Sequence, residues 1–225
     1  MGLELYARIE PLLGFEEQKR RLYEIFLEKL KELGAKNILD VGCGSGVFME
    51  LARSEGFVIT GIDLSHTMVE EAKKKGLEAY CVDVCGFDGK FDAVTAVFDV
   101  INYLPPAQLG KFMECVARLV ADGGYFLCDI NTLYGFEEVA QGSLVIDKES
   151  RFVAIDAEFS QKKLFTDIYL FERTDNCYKK YTDRIVQYYH EVSALKGYGL
   201  KLEDIDFIEL YADRPDKALL TFVRE

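Results

Sequence analysis

Hydrophobic and polar positions along the 225-residue chain follow one rhythm up to about Asn131 and another after it. Apolar residues at Leu22, Ile25, Phe26, Leu30 and Leu33 recur at helical spacing and Gly34 follows as a C-cap would, so one opening helix is expected from about Tyr6 to Leu33. NILDVG, FVITGIDL and LEAYCVDV then read as strands, alternating with the helical runs SGVFMELARSEG and SHTMVEEAKKKG, closed by Gly56 and Gly76. FDAVTAVFDVINYL continues as a buried strand running into a loop. Pro105 and Pro106 open the helix AQLGKFMECVARLV, and DGG turns into the strand YFLCDIN. Strands alternating with helices imply βαβ crossovers and a parallel sheet.

Beyond Asn131 the period shortens. RFVAIDAEF, KLFTDIYLFER and RIVQYYHEV alternate in strand fashion around SQKK and TDNC, and read as an antiparallel β insertion over residues 133–192. It is rich in aromatics, including Phe152, Phe159, Phe165, Tyr169, Phe171, Tyr178, Tyr181, Tyr188 and Tyr189. After SALKGYGLKLEDI, the runs DFIELYAD and ALLTFVRE around RPDK read as a final hairpin, giving a main sheet of seven strands. The expected organisation is an α/β core of residues 1–132 and 193–225 with the insertion as a cap over the substrate. A late antiparallel hairpin differs from the dinucleotide dehydrogenases, whose sixth strand usually stays parallel.

Composition narrows the function. A hydrophobic fraction of 49%, a charged fraction of 29% and four prolines describe an ordered globular chain, long enough for one α/β domain with an insertion. The net charge of -12, with no dense run of Lys or Arg, argues against nucleic acid as the partner. The start MGLELYARIEPLL lacks the basic and apolar regions of a signal peptide, and no stretch reaches about 18 apolar residues. A cytoplasmic protein with no membrane partner is expected. Six cysteines without a CxxC pair, beside only two histidines, are expected to be free, buried small hydrophobes, with neither a disulfide framework nor a metal site.

ILDVGCGSGVFMELA, residues 38–52, carries the candidate chemistry. Gly42, Gly44 and Gly46 lie between a strand and a helix, so a ligand can approach the backbone there without meeting Cβ atoms. The NAD fingerprint G-x-G-x-x-G fails, because Val47 stands where its third glycine belongs. Asp40 places a carboxylate at the mouth that would repel a pyrophosphate and suits an ammonium. Asp63 ends the second strand about 20 residues after the glycines, where a carboxylate accepts from both ribose hydroxyls. Asp83 ends the third strand, placed to accept from an exocyclic amine such as adenine N6. An adenosine joined to an amino acid, without phosphates, is S-adenosylmethionine.

With these residues in place, the chain resembles the class I S-adenosylmethionine-dependent methyltransferases. ILDVGCGSG matches the family's first motif, GIDLSHTMVEEA its acidic second motif, VDV the adenine motif, FDAVTAVFDVINYL the fourth and LVADGGYFLCDIN the fifth. The resemblance covers roughly residues 35 to 132 and implies a Rossmann-like seven-stranded sheet of order 3-2-1-4-5-7-6 with the last strand antiparallel. It places Gly42 and Gly44 under the methionine part of the cofactor, counts Gly46 with the cofactor-binding residues, and turns Asp40 toward the ammonium. Asp63 would hold the ribose, Leu64 and Met68 would sandwich the adenine, and Asp83 with the Val84 amide would read its edge. The Phe98 carbonyl would meet the methionine amine, and Tyr6 would close over that end as part of an N-terminal lid. S-adenosylhomocysteine would be the product.

Methyl transfer from a sulfonium is an in-line displacement with a neutral leaving group, so the protein's main work is alignment and exclusion of water. A base is needed only if the acceptor arrives protonated. Asp99, Asn102 and Tyr103, just past the fourth strand, and His190 beside Tyr188 and Tyr189 are the candidates. FDVINYL stands where nucleic-acid and protein amide methyltransferases carry an NPPY-type loop. The insertion is similar in position to the caps of glycine and amino-sugar N-methyltransferases, and its aromatic rings would cover the sulfonium. A small-molecule N- or O-methyltransferase, monomeric or homodimeric, is the leading expectation. Methylation of RNA or protein, and a non-catalytic cofactor-binding module, are the alternatives.

Overall fold

The computed structural model describes residues 3–225. The opening apolar pattern forms two helices where one is expected: α1 (Leu3–Ile9) and α2 (Glu16–Glu32), separated by a 3-10 turn at Glu10–Leu12. Pro11 has no N–H to continue a helix and Gly14 takes a φ of 77°, so the chain breaks between them.

From there the strand and helix rhythm forms as expected. β1 (Asn37–Val41), α3 (Val47–Ser54), β2 (Val58–Asp63), α4 (His66–Lys74), β3 (Glu78–Cys81), β4 (Phe91–Ala96), α5 (Pro106–Leu119) and β5 (Val120–Asn131) follow in turn. After the insertion come β10 (Leu200–Ile208) and β11 (Lys217–Arg224), giving a sheet of order β10-β11-β5-β4-β1-β2-β3. β1 to β5 pair in parallel, and β11 runs antiparallel to both β5 and β10. This is the Rossmann-like topology expected, although the first hairpin strand lies earlier than DFIELYAD. Residues 209–216 form a loop instead, in which the buried Asp216 carboxylate accepts the amides of Leu210 and Tyr211.

Both faces of the sheet are buried, and alternation along each strand feeds two cores. Leu39, Val94, Phe126, Cys128, Leu220 and Phe222 face α5, while Ile38, Ala93, Leu127 and Leu219 face α2, α3 and α4. The connection order reverses between β1 and β4, so a crevice opens beyond their carboxyl ends, the usual ligand position in an open α/β sheet.

The insertion forms a second, four-stranded antiparallel sheet, β6 (Gly142–Lys148), β7 (Arg151–Ser160), β8 (Lys163–Thr174) and β9 (Cys177–Tyr188). β6 has no counterpart in the sequence reading, because GSLVIDK is largely exposed and its alternation is weak. Val153, Ile168, Leu170 and Ile185 pack on Leu5 and Ile9 of α1, with Tyr6 and Tyr103 against the same cluster. The expected aromatic lining is only partly on that face: Tyr181 packs with the α1 cluster and Phe159 stacks on Phe136. The register puts Phe152, Phe165, Tyr169 and Phe171 on the opposite face, where they sit among Lys180, Arg184 and Asp167.

The cysteines depart from expectation too. Cys43 and Cys128 are buried, but Cys81 and Cys177 are exposed, and Cys85 and Cys115 form a disulfide between the turn after β3 and α5. Among the described residues, no helix is long and apolar enough to cross a membrane.

Candidate active site

The glycine-rich turn is fixed to the end of β2. The amides of Gly42 and Cys43 both donate to the Ile62 carbonyl, at 2.8 and 3.1 Å, and Gly42, Gly44 and Gly46 all have positive φ. The three differ in what surrounds them. A Cβ on Gly42 would lie 2.8 Å from Val100 Cγ2, and one on Gly46 would collide with Leu77. Around Gly44 there is open space. Close packing accounts for the first and third glycines, whereas the middle one keeps an approach clear for something outside the chain.

Asp40 and Asp63 stand at the ends of β1 and β2 and Asp83 just past β3, in distinct environments. Asp40 is buried and accepts from the Thr95 hydroxyl of the neighbouring strand at 2.8 Å. Burial pushes its carboxyl up to about 7, against the lowering effect of that hydrogen bond and with Asp63 adding to the rise. Asp63 accepts the Gly44 amide at 2.9 Å through one oxygen and the Ser65 amide at 2.8 Å through the other, so it joins the turn to the start of α4. Ser65 in turn caps α4 by accepting the Met68 amide. Asp83 is exposed and caps the 3-10 turn Val84–Gly86 by accepting from Cys85 N. Leu64, 62% exposed beside Asp63, presents apolar surface to the mouth, while Val84 is buried and Met68 half-buried.

Beyond β4 the backbone takes two successive left-handed residues, Phe98 at φ 63° and Asp99 at φ 62°. A bulky residue in that region is an outlier, and such strain collects at functional sites. Asp129 of β5 accepts the Phe98 amide at 2.6 Å and the Asp99 amide at 3.3 Å. Lys217, the first residue of β11, donates to Asp129 at 2.8 Å and also to Asp99. Burial works against the Lys217 ammonium, but the two carboxylates outweigh it and hold the amine protonated. Burial likewise pushes the Asp129 carboxyl up to about 6, with Lys217 opposing.

The structure brings Tyr6, Tyr103 and Asp99 together. Burial pushes the Tyr6 phenol up to about 12, with the carboxylates of Glu10 and Asp99 adding to it, and raises the Tyr103 phenol further, Asp99 again contributing. Both phenols stay protonated and can donate or accept a hydrogen bond. Asn102 is buried, donating to the Tyr188 carbonyl at 2.9 Å and accepting from Asn131 N at 3.0 Å, which ties the insertion sheet to the main sheet. His190, 4% exposed, places Nε2 2.9 Å from the Leu104 carbonyl, and burial lowers its pKa. Its ring therefore braces the loop after β4. Tyr189 stacks edge-on against Phe136, beside Phe159.

Several residues at this site are not legible as such in the sequence. Tyr23 of α2 sits against Phe98 and Phe48, and burial, then Asp40, raise its phenol. It reads in the sequence as one more member of a helical stripe. Asp129, an acid inside the apolar run YFLCDIN, is a signal that could have been used, whereas Lys217 in RPDK reads as an ordinary turn charge.

The chain is similar to several known proteins. Residues 38–124 match a family model described as a methyltransferase domain. A protein of Geobacillus sp. (strain WCH70) with a provisional methyltransferase name is 32% identical over 129 residues, 52% of either chain. The ubiquinone biosynthesis O-methyltransferase of Haemophilus ducreyi is 31% identical over 131 residues, 51% of this chain and 54% of that one. These matches thus span about half the length of either relative. Among solved structures, an S-adenosylmethionine-dependent methyltransferase from Clostridium acetobutylicum superposes with a TM-score of 0.81 at 21% identity, covering 98% of each chain. The sugar N-methyltransferase KedS8 from Streptoalloteichus sp. gives 0.76 at 20% identity, over 99% of this chain and 92% of its own. The insertion sheet is part of both likenesses, which extend the shared fold over the whole chain.

Proposed function

We propose that this chain is a class I S-adenosylmethionine-dependent methyltransferase that moves a methyl group from S-adenosylmethionine to a nitrogen or oxygen of a small molecule. The observation that carries the donor half is the space over Gly44, flanked by Asp40, Asp63 and the exposed Leu64. The residues fit this cofactor. Each Asp63 oxygen accepts one backbone amide and keeps a lone pair for a ribose hydroxyl, and Asp40 offers a buried carboxylate to the ammonium.

When bound, the cofactor supplies an electrophilic methyl on a sulfonium. The chain supplies alignment: the Gly44 backbone lies under the amino-acid end, Asp63 holds the ribose, Leu64 and Met68 cover the adenine, and Asp83 with the Val84 amide reads its edge. The Phe98 carbonyl and Asp40 hold the amino-acid end, with Tyr23 and Tyr6 over it. Asp99 and the Tyr103 hydroxyl face the acceptor, and Asp99 takes its proton when the acceptor arrives protonated. We assign His190 to holding the cap, because its Nε2 already meets the Leu104 carbonyl.

The small-molecule reading is supported by the cap. We read residues 133–192 as a cap over the acceptor, because their sheet packs on Leu5 and Ile9 of α1 with Tyr6 and Tyr103 against the same cluster, an arrangement that suits a small acceptor better than a large polymer. The net charge of -12 points the same way. Melting the protein with S-adenosylhomocysteine and, separately, with NAD tests the donor. The first should raise the melting temperature and the second should not. Incubation with radiolabelled S-adenosylmethionine and an acceptor panel then tests the rest, and label entering RNA or protein would overturn the small-molecule reading.

A further inference from the structure

The left-handed pair Phe98–Asp99 is the least favourable backbone at the site, and two strands converge to hold it. Asp129 from β5, fully buried, receives both amides of the pair. Lys217 from β11, 1% exposed, bridges the Asp129 and Asp99 carboxylates. Its neighbours along the strand, Ala218, Leu219 and Leu220, are apolar and buried. Sheet pairing at this position with Asn131 uses backbone groups only, so it does not call for a cation. A buried ammonium between carboxylates bears a desolvation penalty that an apolar side chain would avoid, and what such a cluster adds is one fixed geometry.

We propose that Lys217 is a positioning residue for methyl transfer. Acting through Asp129 and Asp99, it holds the Phe98–Asp99 turn so that the Phe98 carbonyl meets the amino-acid end of the donor and the Asp99 carboxylate faces the acceptor. The inference rests on the donor assignment above and adds a group outside every motif that carries the family resemblance. Without the ammonium, the two carboxylates repel one another across the turn, and Asp129 loses the partner that keeps it charged and aimed at the two amides.

Two ligands separate positioning from general support. S-adenosylhomocysteine has the amino-acid end, whereas 5′-methylthioadenosine keeps the adenosine and thioether but lacks it. Titration calorimetry of K217M should show S-adenosylhomocysteine binding weakened by about tenfold, the scale of one hydrogen bond to a charged group, with 5′-methylthioadenosine within about twofold of the parent. D129N, which keeps the side-chain shape, should show the same split and serves if K217M does not melt cooperatively. Equal losses for both ligands, or no loss for either, in a folded variant would overturn the proposal. Unfolding of both variants would also overturn it, since the cluster would then be scaffold alone. Failure of the unsubstituted protein to bind S-adenosylhomocysteine is a separate result that removes the donor assignment itself.

Discussion

Asp40 and Asp63 lie at the ends of β1 and β2 and Asp83 just past β3, and their surroundings give them different work. Asp63 has both oxygens on backbone amides, so D63A should loosen the turn locally and remove the ribose contacts. Binding of S-adenosylhomocysteine should fall at least about a hundredfold, from two hydrogen bonds to a charged group, while the melting temperature moves by only a few degrees. Unchanged affinity in a calorimetric titration would take Asp63 out of that role. Asp40 makes binding depend on pH. Burial keeps it protonated in the free protein up to about pH 7, whereas an ammonium partner favours the carboxylate. Affinity should therefore rise between pH 6 and 8 with release of a proton, seen as a buffer-dependent binding enthalpy, and D40N should flatten the dependence. The sign for stability is opposite: the native state holds a proton that the unfolded chain has lost above about pH 4. The ligand-free protein should thus lose stability as pH rises from about 4 to 7. Spacing alone identifies the three acids, but whether each is buried or exposed follows from the neighbouring strands, Thr95 above all.

Elements form where local periodicity is strong, and their details follow from close approach. Gly61 in the middle of β2 shows this: a Cβ there would meet Met49 Sδ at 2.5 Å and Cys43 Sγ at 2.7 Å. G61A should destabilise the fold by about 1–3 kcal/mol, the range for overpacking a core. G44A adds its Cβ into open space, so it should keep the fold at the modest cost of a left-handed non-glycine residue, about 1–2 kcal/mol, yet lose affinity for S-adenosylhomocysteine. Thermal melts with and without ligand distinguish the two. Alternation made β7 to β9 readable as strands. It could not say which face of the insertion sheet packs on α1, because both faces carry apolar residues: Val153, Ile168, Leu170, Tyr181 and Ile185 toward α1, and Phe152, Phe165, Tyr169 and Phe171 away from it.

At the scale of the whole molecule, contacts between distant segments hold the site together. The Cys85–Cys115 disulfide ties the turn that bears Val84 to α5 across 30 residues of sequence. By loop-closure entropy it should contribute about 3–4 kcal/mol. Reduction, or C115S, should therefore lower the melting temperature by about 10 °C, and an unchanged melt under reductant would contradict the cross-link. Nothing in the spacing of the six cysteines marks this pair. The insertion sheet is tied to the rest of the chain at several points, through α1, through Asn102 to Tyr188 and through His190 to Leu104.

The sequence by itself determined the donor half of this protein: parallel strands, a bare turn and three acids at strand ends, because each follows from residues adjacent in the chain or repeated at a fixed period. Only the tertiary structure decided that Lys217 meets Asp129 and Asp99, that Tyr23 sits near Asp40, and that Cys85 reaches Cys115. Those contacts join residues 17 to 118 positions apart, and sequence distance of that kind leaves no periodic trace; only the order in which strands lie side by side brings such groups together.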